Sequence, residues 1–324
     1  MDARGLAYPQ LLSVTKIWDL AMHNSMTDLC RFHNSWFCVF REAEEHSGES
    51  LGAIRLLVST DGCKWDSIAY FSLPEKDLRD PKLSITPHGR LMLLATAISN
   101  VKNRDQIECQ SLVSFTFDAV NWSPLIPVEI SNEWLWRVTW FQGKAYGLTY
   151  RHVGKAPGNQ TQLRLYYSDN GIKYTLITDL HIPGNPSEGT LQFFSSGEMI
   201  ALVRRGQGRN AWIGRAAPPY DIWEWNDAGR YLAGPNFIIT DNNIVFEAGR
   251  SAMFTPYGLY EKMTVGLIEH HKIAPLLFLP SAIDCGYPGM AIIDNQLYVS
   301  YYSTHEDKAA IYFAILKIQN SLIA

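Results

Sequence analysis

Glu188 and the pair Arg204-Arg205 bracket the stretch EGTLQFFSSGEMIALVRR. Thr190–Phe194 and Met199–Val203 read as two short strands, with Ser195-Ser196-Gly197 as the turn between them. A hairpin closes its open ends on one another, so the Glu188 carboxylate is expected beside two guanidiniums. Such a group can accept a proton, and it can hold an anion. On a lone hairpin it would be an exposed ion pair of little consequence. The same hairpin recurs along the chain, and that changes its meaning.

Counterparts start near His23, Asp80, Arg137, Asn236 and Tyr287, at steps of 57, 57, 51, 48 and 51 residues once Glu188 is included. Each start precedes an apolar strand, a polar or glycine turn such as His33-Asn34-Ser35 or Asp294-Asn295, and a returning apolar strand. A second repeat runs Ser59-Thr-Asp61-Gly62-Cys-Lys64-Trp65, Thr116-Phe-Asp118-Ala119-Val-Asn121-Trp122 and Ser168-Asp-Asn170-Gly171-Ile-Lys173-Tyr174, with a degraded copy at Ala217–Trp223. In these turns the Asp or Asn side chain caps backbone N–H groups, the small residue accepts the turn's dihedrals and the aromatic packs beneath. They are read as structural. Long helical periods are missing, and short β-branched and aromatic runs between turns dominate. Six units of about 50 residues, each with about four strands, predict an all-β fold, a six-bladed β-propeller formed by residues 1–324 as one domain. The last unit is short, and Leu11–Ile17 is expected to supply its missing strand.

In a propeller the innermost strand of every blade starts at one face of the disc and the second strand returns there. The starts therefore place His23, Asp80, Arg137, Glu188, Asn236 and Tyr287 around one mouth, and the ends add Arg41, Arg151, Arg204, Arg250 and His305. Four arginines converging in a chain of formal charge −4 predict an anionic ligand, most simply a carboxylate. Arg205 alternates to the other face of its strand and is expected in an inter-blade salt bridge.

Composition narrows the classes further. Hydrophobic residues make up 47% and charged residues 19% of 324, enough for a large core. No basic run marks a nucleic-acid surface. The five cysteines are dispersed without a CxxC pair, which argues against disulfides and zinc. The histidines show no ligand spacing, so no metal and no cofactor is expected. The N-terminus has no signal-peptide pattern, and no apolar run is long enough for a membrane helix.

With these residues in hand, the chain resembles the sialidase superfamily. The Ser-x-Asp-Gly-x-Lys-Trp turns are similar to the Asp boxes of sialidases and related BNR-repeat proteins, although one residue shorter. Glu188 through Arg204 resembles the segment carrying the glutamate that activates the nucleophile together with an arginine of the carboxylate-binding triad. Asp284-Cys-Gly-Tyr287-Pro-Gly-Met resembles the segment of the catalytic tyrosine, and Gly249-Arg250 supplies a further arginine. The likeness implies an exo-glycosidase for an acidic sugar, in which Tyr287, deprotonated by Glu188, attacks the anomeric carbon. The usual Phe/Tyr-Arg-Ile-Pro opening is replaced by His23-Asn-Ser-Met-Thr-Asp28, leaving Arg41 to complete the triad. Asp80, Glu45 or His46 would serve as acid/base, with Asp80 equally able to cap its strand. Arg137, Trp136, His46 and Asn236 are the expected further sugar contacts. A non-catalytic propeller that binds glycan or protein is the alternative.

Overall fold

The computed structural model describes residues 9–47, 50–99, 108–153, 160–206, 208–255 and 258–318. These form six four-stranded antiparallel sheets, the blades of a β-propeller. The innermost strands are His23–Phe32, Asp77–Ile85, Trp134–Phe141, Gly189–Phe193, Leu232–Ile239 and Cys285–Ile293. Each pairs with the strand that follows it: Ser35–Ala43, Leu91–Ser99, Lys144–Val153, Met199–Val203, Val245–Thr255 and Gln296–Ser303. These second strands are covered on both faces, which is why they read as continuous apolar runs. In Leu91–Ser99, for example, every residue but the last is buried. Tight turns of two left-handed residues, His33-Asn34, Gln142-Gly143 and Asp294-Asn295, link inner to second strands and match the strand twist.

The core is divided among the seams. One apolar cluster fills each junction between neighbouring blades, from Phe32, Val39, Leu83 and Leu93 between blades one and two to Phe246, Val265, Val299 and Tyr312 between five and six. The outer strand of blade six is the N-terminal segment Gln10–Trp18, antiparallel to Ala310–Lys317. Its Leu11 and Val14 pack on the blade five–six cluster, and Ile17 and Trp18 on the blade six–one cluster. The repeated turns join third to fourth strands, on the face opposite the mouth. In each of the first three, one carboxylate or amide oxygen accepts two successive backbone N–H groups: Cys63 and Lys64 on Asp61, Val120 and Asn121 on Asp118, Ile172 and Lys173 on Asn170. The degraded copy keeps the indole bond, Trp223 Nε1 donating to the Tyr220 carbonyl at 2.9 Å as Trp65 and Trp122 do at 3.1 Å to Gly62 and Ala119. All five cysteines are free thiols. Among the described residues no helix is long and apolar enough to cross a membrane.

Candidate active site

The inner strands do not begin where the repeats suggest. Four of them start two to four residues earlier, and Asp80, Arg137, Asn236 and Tyr287 lie inside them. The cause is a bulge near the mouth end of five inner strands, between Ser25 and Asp28, Arg79 and Lys82, Leu135 and Arg137, Ala233 and Asn236, and Gly286 and Gly289. In four of these bulges the first extra residue is left-handed: Met26, Asp80, Gly234 and Tyr287, with φ of 61°, 50°, 55° and 53°. Proline follows three of them, at Pro81, Pro235 and Pro288, where the bulge leaves no ladder bond for an N–H to make. A bulge re-aims its side chain, and here it turns Asp80 and Tyr287 across the mouth. The recurring x-Pro step is the sequence signal that marks it.

Glu188, 5% exposed, is the hub. The Tyr287 hydroxyl donates to its Oε1 at 2.7 Å, Arg204 Nη1 donates to both carboxylate oxygens at 2.7 Å, and the Gly234 N–H reaches Oε2 at 3.2 Å. Burial alone would raise the Glu188 carboxyl, but Arg204 and the other donors outweigh it and hold it below the usual range. Burial, reinforced by the Glu188 charge, pushes the Tyr287 phenol well above its ordinary value. The pair is therefore a neutral phenol hydrogen-bonded to an ionised carboxylate. Gly234 has no room for a side chain: a Cβ there would lie 3.0 Å from the Tyr287 ring.

Asp80 joins this group electrostatically, since Glu188 and Tyr287 each sense its charge. Burial raises its carboxyl to about 6 despite the opposing charge of Lys82, whose own ammonium is lowered to about 8 by burial. Arg250 faces the Tyr287 and Tyr302 hydroxyls, whose influence outweighs burial and raises it. Its Nε makes a loose ion pair with Glu261 at 3.7 Å and has no hydrogen-bond partner. The Trp136 ring packs 5.5 Å from that of Tyr287 and carries the Lys82 ammonium at 4.7 Å.

Other expected residues go elsewhere. Arg41 does not reach the mouth: it is fully buried, with its guanidinium on Asp77 and on the Glu45 carbonyl. Arg151 is taken up by Gln162, and His305 by Ser303. Thus Arg204 and Arg250, not four arginines, face the pocket. Arg137 crosses the channel to both oxygens of Asp28 at 3.0 and 2.9 Å and forms a floor below the mouth. Asn236 donates to the Pro288 carbonyl and ties blade five to blade six. Beneath this floor lies a cavity of about 220 Å³ whose lining mixes apolar residues such as Leu83 and Phe237 with polar ones, among them Arg137, Thr139, Gln192 and Asn236. His46 sits at the rim against Asp284. Among the described residues Arg205 has no salt-bridge partner; it donates to the Pro183 and Asn210 carbonyls and stacks on Trp212 at 4.6 Å.

Sequence reasoning missed Tyr150 and Tyr302. Both lie in the mouth-side halves of second strands, at the position equivalent to Arg41, Arg204 and Arg250. Burial raises both phenols strongly; Tyr150 feels Asp80, Glu188 and Tyr287, and Tyr302 donates to Asp284. Counting two residues past the mid-strand partner of each inner strand would have found them.

No family model matches the sequence, and no curated protein matches it. By structure the chain is similar to a Dyadobacter fermentans protein of unknown function, with a TM-score of 0.81 at 16% identity over 97% of this chain and 100% of that one. It is also similar to the Penicillium chrysogenum α-L-arabinanase complexed with arabinobiose, with a TM-score of 0.71 at 11% identity over 96% of this chain and 99% of the other. Trypanosoma rangeli sialidase aligns with a TM-score of 0.68 at 10% identity over 95% of this chain, which spans 58% of the sialidase chain. At these identities the likeness is one of fold: the chain is a six-bladed propeller whose structural neighbours include glycosidases.

Proposed function

We propose that the chain is an exo-acting glycoside hydrolase for an acidic sugar, with Tyr287 as nucleophile and Glu188 as its base. The observation that carries this reading is the 2.7 Å bond from the Tyr287 hydroxyl to a carboxylate held ionised by Arg204. An ionised nucleophile would be repelled by the carboxylate of such a sugar, whereas a phenol deprotonated only as it attacks is not. In the first half-reaction Tyr287 Oη bonds to the anomeric carbon, its proton passes to Glu188 and the glycosidic oxygen leaves with a proton from Asp80. In the second, Asp80 removes a proton from water as the water displaces the tyrosine, which regains its proton from Glu188. Two displacements retain the anomeric configuration. Arg250, whose Nε makes no hydrogen bond and is held only by a loose 3.7 Å ion pair with Glu261, is the guanidinium that would grip the sugar carboxylate. Neighbours solved with the inhibitor DANA and as a covalent intermediate with 2,3-difluorosialic acid support the reaction class.

The test is a panel of aryl glycosides, with α-sialosides and other nonulosonates against α-L-arabinofuranosides, assayed with the wild type and Tyr287→Phe. Turnover of an acidic member should fall about 10³-fold or more in the variant, while affinity for the matching sugar stays nearly unchanged. Sugar binding without turnover in the wild type would favour a glycan-binding propeller, and turnover of arabinofuranosides alone would remove the acidic sugar.

A further inference from the structure

His23 opens the inner strand of blade one, His46 follows that blade's second strand, and Asp284 immediately precedes the inner strand of blade six. His23 and Asp284 stand 261 residues apart, and closure of the ring sets them side by side. His23 Nε2 lies 2.9 Å from Asp284 Oδ2, and His46 Nδ1 lies 3.3 Å from Asp284 Oδ1. The ligand atoms of all three lie within 4.8 Å of one another. The two imidazole rings meet edge to face, with centroids 5.2 Å apart at 82°.

We propose that His23, His46 and Asp284 bind one divalent cation of the zinc class at the seam between the first and last blades. The donor set decides the class. Two imidazoles and one carboxylate suit Zn²⁺ or Co²⁺, whereas calcium and magnesium require a shell of oxygens. The spacing agrees. Bonds of about 2.0–2.2 Å in a tetrahedral site hold ligand atoms roughly 3.3 Å apart, so small side-chain shifts bring these three to that separation. Simple hydrogen bonding leaves two imidazole atoms without an aligned partner: His23 Nδ1, and His46 Nδ1 although it lies 3.3 Å from Asp284, are both sealed from solvent. Tyr302 supports the carboxylate from behind, its hydroxyl donating to Asp284 Oδ1 at 2.7 Å, as outer-shell groups orient metal ligands. His23 is 11% exposed in its side chain, while His46 and Asp284 are 39% and 32% exposed. The His46 and Asp284 side chains thus reach the surface while the His46 ligand atom is covered, and a fourth ligand, water or a sugar oxygen, would enter from the His46 and Asp284 side to complete the site. Being built from two blades, it would clamp them. This inference does not depend on the glycosidase reading.

The experiment uses tag-free full-length protein, stripped with a chelator and then dialysed against micromolar Zn²⁺. Elemental analysis should give one zinc per chain, and the melting temperature should rise by about 5 °C, as expected for a ligand that binds only the folded state. Co²⁺ in its place should give the visible absorption of a tetrahedral centre. His46→Ala and Asp284→Asn should each lose both the zinc and the thermal gain, while His271→Ala, on an exposed turn of blade five, keeps them. His46 is partly exposed, so its variant reports on binding even if replacing His23 impairs folding; the zinc-free melting temperature checks this. Failure of the wild type to retain zinc, or equal retention by His46→Ala and Asp284→Asn, overturns the proposal.

Discussion

Asp80 and Arg250 are the residues whose surroundings make sharp demands on solution behaviour. Asp80 is buried among Lys82, Glu188, Arg79 and His46, and its carboxyl titrates near 6. As a proton donor it is competent below that value and is lost above it. Activity on substrates with poor leaving groups should therefore fall as pH rises through about 6. Asp80→Asn should abolish that limb while retaining turnover of substrates whose leaving group needs no proton. The stability sign is the same. The folded value lies above the unfolded one of about 3.9, so stability present below pH 4 is lost as pH rises to 6 and stays lost beyond. Asp80→Asn should accordingly melt higher than wild type at pH 7 and lose that advantage at pH 4; the opposite order would contradict the burial argument. For Arg250→Ala we expect affinity for an acidic sugar to weaken by about 2–5 kcal/mol and affinity for neutral sugars to be indifferent. Lysine should not rescue it, because an ammonium lacks the planar fork. Titration calorimetry with paired acidic and neutral ligands reads both outcomes.

At the scale of elements, two local devices divide the work. Bulges at the mouth ends of the inner strands point side chains across the channel, and capped turns at the opposite face hold the outer strands in place. Asp118 illustrates the second. Its carboxylate accepts from Val120 and Asn121, and these bonds depress its titration strongly. Asp118→Ala should lower the melting temperature by a few degrees and leave catalytic parameters unmoved, because the turn lies on the face away from the pocket. A loss of turnover at unchanged stability would show that the turn does more than cap. Local spacing revealed these turns, since each is completed within seven residues. The bulges were harder to read, because one extra residue shifts the register without altering the apolar pattern that marks a strand.

For the whole molecule, the ring is closed by the N-terminal strand Gln10–Trp18 on blade six and by contacts such as Asn24 Nδ2 donating to the Ala309 carbonyl. Removing residues 1–18 would expose the edge of Ala310–Lys317 and uncover Leu11, Val14, Ile17 and Trp18 contacts in two seams. The melting temperature should fall by more than about 10 °C, given roughly 2–4 °C per kcal/mol for a domain of this size. An unchanged melting curve by calorimetry would mean that the ring holds without that strand.

The repeats, the strand–turn alternation and the turn chemistry were determined by the sequence alone, because each is a local pattern with a fixed period. So was the meeting of Glu188 with Arg204, since both lie at the open end of one hairpin. Which of the other charged residues share a pocket was decided by tertiary structure. Arg41 and Arg250 occupy equivalent strand positions, yet Arg41 is drawn into Asp77 and Arg250 is not. Arg137 and Asp28 neutralise one another across the channel, a pairing over 109 residues that no local spacing encodes. The approach of His23 and His46 to Asp284 depends likewise on the angle at which the last blade meets the first. Hydrogen bonding and side-chain alternation act over a few residues and leave a readable trace, whereas the direction of a side chain at the mouth depends on a bulge in its own strand and on the charges that neighbouring blades present to it.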